Sequence, residues 1–263
     1  ATGGALNIRC SDPESDERSA ARLHNNVFVR SSVLTERLLL ISQLLSSAFA
    51  AGGAAFLTAS QLFASVSDCT FESSLLSVGC RYELNTQGGA LSVDSNEYLT
   101  LDVEGTTING TLIQTNSVFA RDSSAGVALY VAAGRRSRAC CFVARNSNLC
   151  AGPDSDRVRI SRSTFIDNVG SPMESATVFG GVAVIAPAKT TLTTIVDVLF
   201  ARNRVDAAAA LMWYSRGSLT LARCLVLGNT SPAGAGGAVM LSGGQNTQTD
   251  RVRALLCDVS CNV

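Results

Sequence analysis

Histidine is almost absent from this sequence, since His24 is the only one in 263 residues. Ser–His–Asp or Cys–His chemistry therefore has a single possible base, and no histidine cluster is available to hold a metal. His24 sits beside Asn25 and Asn26 with no partner at ligand spacing, so it reads as a surface residue. Aromatic residues are scarce at 6%, while 22 glycines and abundant Ala, Ser, Thr and Val suit stacked strands and turns better than helices. Net charge is missing too: 21 basic side chains balance 21 acidic ones, and the sequence pI is near 6.8. That balance excludes the basic field of a nucleic-acid binder and the polybasic patch of an anionic-membrane binder. No paired CxxC spacing for zinc occurs, and no charged segment precedes an apolar core as in a signal peptide, so the chain reads as a mature or trimmed fragment.

Charge is also missing locally, from Leu38 to Ser67, where Leu38-Leu39-Leu40-Ile41 resembles the start of a membrane span. Gln43, Ser46, Ser47 and the Gly52-Gly53 pair interrupt it, and the repeats described next assign these residues to strands rather than to a span.

What the chain has is internal repetition. A hexamer recurs as Cys69-Thr-Phe-Glu-Ser-Ser74, Ser117-Val-Phe-Ala-Arg-Asp122, Ser163-Thr-Phe-Ile-Asp-Asn168, Val198-Leu-Phe-Ala-Arg-Asn203, Cys224-Leu-Val-Leu-Gly-Asn229 and Cys257-Asp-Val-Ser-Cys-Asn262, with Asn26-Val-Phe-Val-Arg-Ser31 as a degraded seventh copy. A second element alternates with it: Gly3-Gly-Ala-Leu6, Gly52-Gly-Ala-Ala55, Gly88-Gly-Ala-Leu91, Gly126-Val-Ala-Leu129, Gly181-Val-Ala-Val184, Ala208-Ala-Ala-Leu211 and Gly236-Gly-Ala-Val239. The last three begin 27 and 28 residues apart, the length of three short strands with their turns. A third strand of period two lies between them, as in Arg157-Val-Arg-Ile-Ser-Arg162 and Ser218-Leu-Thr-Leu-Ala-Arg223.

This pattern predicts one all-β domain over residues 1–263, a single-stranded right-handed parallel β-helix of about six or seven three-strand coils. Longer intervals read as insertions near residues 10–26, 75–87, 104–112 and 133–157. Like residues should then stack, with Phe71, Phe119, Phe165 and Phe200 in one interior file, continued by Val226 and Val259. Asn168, Asn203, Asn229 and Asn262 should form an amide ladder in a corner.

Alternating GGA[ILV] and FxxN elements resemble the repeats of the chlamydial polymorphic outer membrane proteins, whose passenger regions look like autotransporter β-helices. Pectate-lyase-like β-helices are similar in outline. The resemblance implies surface display and adhesion, and a protein or glycan partner at a cell surface or outside the cell. No C-terminal β-barrel pattern accompanies the repeats.

No cofactor or metal is expected, and no catalytic residue is assigned. The strongest enzymatic alternative is a polysaccharide lyase or hydrolase using Asp154, Asp156, Arg157, Arg159 and Arg162, which otherwise read as a solvated loop and an outward strand face. A subunit of a larger filament or complex is a third reading. Nine cysteines point to an oxidising compartment. Cys140 or Cys141 with Cys150, and Cys80 or Cys10 with partners left open, are the candidate disulfide residues. Cys69, Cys224 and Cys257 open hexamers and read as buried small hydrophobes, with Cys224 and Cys257 spaced slightly beyond the ideal Cβ separation of a bridge. Asn109, in Asn109-Gly-Thr111, is the candidate glycosylation site, whereas Asn229 in the second sequon belongs to the ladder.

Overall fold

The computed structural model describes residues 5–9, 19–36, 47–80, 83–117, 123–133, 156–173, 182–187, 190–205, 210–214, 216–231, 238–242, 251–260 and 262. Every regular element among them is a β-strand, and all recorded strand pairings are parallel. No helix long and apolar enough to cross a membrane occurs among the described residues.

The regular three-strand β-helix predicted from the repeats is overturned. The strands assemble into four parallel sheets of very unequal size, with twelve, seven, four and three strands, and the largest curls as a parallel half-barrel nearer to the sheets of α/β proteins, without their helices. One cause is the pair of long strands Ala55–Ser67 and Leu91–Glu104, which run unbroken through the expected corner between the GGA element and the period-two element. Both elements therefore belong to one sheet. One arm contains Leu129–Ala133, Ala183–Pro187, Leu211–Tyr214 and Val239–Ser242, and the other Asp156–Ser161, Thr190–Val196, Arg216–Ala222 and Arg251–Leu255. A second cause is that stretches read as insertions contain paired strands: Ser19–His24, Leu75–Cys80, Glu83–Gln87 and Thr107–Asn109.

The hexamers build the seven-stranded sheet, in the order Asp258–Ser260, Leu225–Leu227, Leu199–Ala201, Thr164–Ile166, Thr107–Asn109, Thr70–Glu72 and Val27–Val29. Its inward file is Phe28, Phe71, Ile108, Phe165, Phe200, Val226 and Val259. Phe28 stacks on Phe71 with centroids 4.8 Å apart, and Phe165 on Phe200 at 4.9 Å. Burying each such ring contributes about 1.5–3 kcal/mol. Ile108 occupies the place expected for Phe119, which lies outside the described residues. The hexamer that matters there is Thr106-Thr-Ile-Asn-Gly-Thr111, which has Ile108 where others have Phe and Thr111 where others close with Asn.

A register slip corrects the GGA file as well. Leu129 pairs with Ala183, and Ala183 with Leu211, so Val184 is one residue out of the predicted frame and pairs with Tyr130 instead. Because strand side chains alternate, one residue of slip moves a side chain to the opposite face. Val184 accordingly packs with Tyr130, Ala132 and Met212 in a small apolar cluster separate from the main core.

Corners between strands fall in left-handed backbone. Asn25, Asp68, Gly105, Arg162, Asp197, Arg223 and Leu256 all have positive φ at the entry to the seven-stranded sheet. At Gly88 only glycine fits: its φ is +60°, and a Cβ there would lie 2.3 Å from the Leu91 carbonyl oxygen.

Candidate functional site

The asparagine file is the most highly organised polar feature. The Asn168 backbone N–H and Nδ2 both donate to Asn203 Oδ1, at 3.0 and 2.9 Å. Asn203 repeats this towards Asn229 Oδ1 at 3.1 and 2.8 Å, and Asn229 towards Asn262 Oδ1 at 2.9 Å for both bonds. Each Nδ2 also reaches back to a strand carbonyl, as Asn203 does to Phe165 O at 3.0 Å and Asn229 to Phe200 O at 3.0 Å. Oδ1 thus accepts twice and Nδ2 donates twice, so a buried amide is fully used. The file stops at Thr111, whose N–H donates to Asn168 Oδ1 at 3.0 Å. Asn229 is wholly buried, which hides its sequon. Asn109 is half-buried on the strand Thr107–Asn109, between Glu72 and Ile166, not in an insertion.

Ion pairs bridge neighbouring layers at the exposed corners. Arg202 holds Asp167 by two bonds of 2.8 and 2.7 Å, Arg223 holds Asp197 at 2.6 and 2.7 Å, and Arg162 pairs with Glu104. The hydrogen bond from Arg202 is the main cause that lowers the Asp167 carboxyl below the usual aspartate value, and Arg223 does the same for Asp197.

His24 has neighbours that the sequence did not reveal. Its Nδ1 lies 2.9 Å from Ser67 Oγ and 3.8 Å from Asp68 Oδ2, while Asn25 Nδ2 is 3.1 Å from Nε2. This is a Ser, His and Asp trio, but the geometry is wrong for acyl transfer. Serine and carboxylate share one ring nitrogen, whereas a relay needs them on opposite nitrogens.

The lyase-like cluster is divided by strand alternation. Asp156 is buried and accepts the Leu99 N–H at 2.9 Å, whereas Arg157 and Arg159 point outward and are exposed. Asp154 lies outside the described residues, as do Cys140, Cys141 and Cys150. Cys69 and Cys224 are buried free thiols and Cys257 is half-buried. Burial, ahead of its thiol neighbour Cys257, pushes Cys224 up to about 11. No group of three or more metal-ligating side chains occurs among the described residues.

Outside the second arm of the large sheet, strand register builds a different file: Arg22, Ser65, Asp102, Arg159, Thr194, Thr220 and Arg253. Arg22, Arg157, Arg159 and Arg253 on this face are exposed. Hydrogen-bonding side chains at regular strand spacing on a stiff support can engage a hydroxyl-rich or amide-rich partner. Period two in the sequence was the signal for which residues face out. No protein family, curated protein or solved structure matches the chain.

Proposed function

We propose that this chain is a non-enzymatic structural and adhesive protein of the cell surface or extracellular space, a stiff repeat scaffold whose outward polar faces and insertions contact a protein or glycan partner. The observation that carries this reading is the uninterrupted amide file from Thr111 to Asn262, in which hydrogen-bonding capacity is spent on joining layers. Such a framework favours presentation over turnover. The polymorphic outer membrane protein-like repeats support the same reading.

The test is direct binding of the purified chain to a glycan array and to intact cells. A saturable signal that falls at least tenfold when Arg157 and Arg159 are both changed to Ala, or when residues 134–155 are replaced by a short Gly-Ser linker, supports it. Release of new reducing ends or unsaturated uronates from any polysaccharide on the array would overturn it in favour of an enzyme.

A further inference from the structure

We propose that Cys224 and Cys257 are a thiol pair that closes to a disulfide on oxidation, fastening the strand Asp258–Ser260 to the strand Leu225–Leu227. The inference is independent of any surface role. Leu225 pairs in register with Asp258, and the Asp258 N–H donates to Cys224 O at 3.0 Å, so the two cysteines occupy the same position immediately before adjacent strands. Parallel neighbours of this kind have Cα atoms about 4.8 Å apart, inside the range that disulfides span. The thiols are oriented alike: Cys224 Sγ reaches Ala222 O at 3.4 Å and Cys257 Sγ reaches Leu255 O at 3.5 Å, each two residues back along the chain at the end of the preceding strand. Cys69, by contrast, opens the Thr70–Glu72 hexamer between copies that begin with Asn26 and Thr106, so no thiol lies beside it.

Stacked Cβ atoms must approach by about 1 Å to reach bridging distance. Cys224 is held on both sides, because Leu225 N–H donates to Val198 O at 2.9 Å while its own carbonyl accepts from Asp258. Cys257 follows Leu256, which has φ 53° and is 86% exposed, and among the described residues its strand is paired on one side only. The Cys257 layer is therefore the one that moves. The less buried Cys257 thiolate attacks a low-molecular-weight disulfide RSSR, forming Cys257–S–S–R and releasing RS⁻. Cys224, deprotonated as it reacts, then attacks the Cys257 sulfur and expels the second RS⁻. Two protein thiols are oxidised and one RSSR is reduced to two RSH.

The experiment incubates the reduced, unsubstituted chain with oxidised glutathione, blocks remaining thiols, and maps tryptic peptides by mass spectrometry. The expected product joins the peptide beginning at Cys224 to the one beginning at Ala254, with fragment ions placing the bridge on Cys257 rather than Cys261. Thermal unfolding should rise by several degrees and return with dithiothreitol, and Cys257→Ser should abolish both effects. Glutathione retained on Cys257, a bridge from Cys257 to any other cysteine, or both thiols remaining free would each overturn the proposal.

Discussion

Trp213 and Thr193 lie 20 residues apart in sequence, on different arms of the twelve-stranded sheet, and meet inside the core, where the indole Nε1–H donates to Thr193 Oγ1 at 3.2 Å. Both are buried, Trp213 to 1% exposure and Thr193 fully. A buried threonine on an otherwise apolar file is thereby explained: it satisfies the one polar atom of the largest core side chain. Thr193→Val preserves shape but orphans that N–H, and should lower unfolding free energy by about 1–3 kcal/mol in urea titration. Trp213→Phe in the Thr193→Val background should show a smaller cost than in the unsubstituted chain, which a double-mutant cycle measures.

Asn203→Ala removes an amide that accepts from Asn168 and donates to Asn229 Oδ1 and Phe165 O. The buried partners left behind should cost about 3 kcal/mol. Asn203→Asp should be at least as harmful, since a carboxylate cannot donate. Thr111→Asn is the converse test. Thr111 Oγ1 has no hydrogen-bond partner, and an amide there reaches the already placed Asn168 Oδ1. Stability should rise by about 1 kcal/mol, read as a higher urea midpoint at unchanged slope.

Leu256 is the residue least suited to its backbone. Asn25, Asp68 and Gly105 occupy the same corner in earlier layers, whereas Leu256 holds φ 53° with its apolar side chain in solvent. Leu256→Asn or Leu256→Gly should stabilise by up to about 1 kcal/mol, visible as a raised thermal midpoint. A loss of stability would mean that the exposed leucine makes a contact in solution.

Much of this was legible in the repeats, and what was not has physical causes. The inward Phe71, Phe165 and Phe200 and the Asn168 to Asn262 file carry unmistakable residue types at fixed spacing. The layer Thr106–Thr111 uses Thr, Ile and Thr for the same three jobs, so no residue type announced it, and a better-looking match at Ser117-Val-Phe119 drew the frame away. The slip at Val184 escaped because Ala183 and Val184 both tolerate burial, so hydrophobicity alone does not choose between them. Sheet membership escaped because a strand that continues through the expected corner with only a register shift, as Leu91–Glu104 does between Ser95 and Tyr98, has no Gly or Pro to mark it. At the candidate contact face alternation correctly sent Arg157 and Arg159 outward, but it could not reveal that His24 meets Ser67, 43 residues away.

The acid response of the corners has a definite sign. Asp167 and Asp197 have carboxyl pKa values lowered in the folded chain by Arg202 and Arg223. A group whose folded pKa is depressed contributes stability above its unfolded value, and that contribution disappears as pH falls through the folded one. Stability should therefore decline below about pH 4. Arg202→Gln with Arg223→Gln should flatten that limb and leave the neutral-to-alkaline limb parallel to the unsubstituted protein. Both pairs are solvent-exposed, so the difference should shrink further in high salt.

The amide file runs from Asn262 back to Asn168 and stops at Thr111. Mechanically the molecule is thus two materials in series. A chain pulled away strand by strand from its carboxyl-terminal side must rupture the amide file together with each backbone ladder until residue 168 is freed, after which backbone ladders, apolar contacts and scattered side-chain bonds such as Arg162 to Glu104 resist. Force–extension traces should show taller early rupture peaks and lower later ones, and a Thr111→Asn, Ser74→Asn chain should level the two.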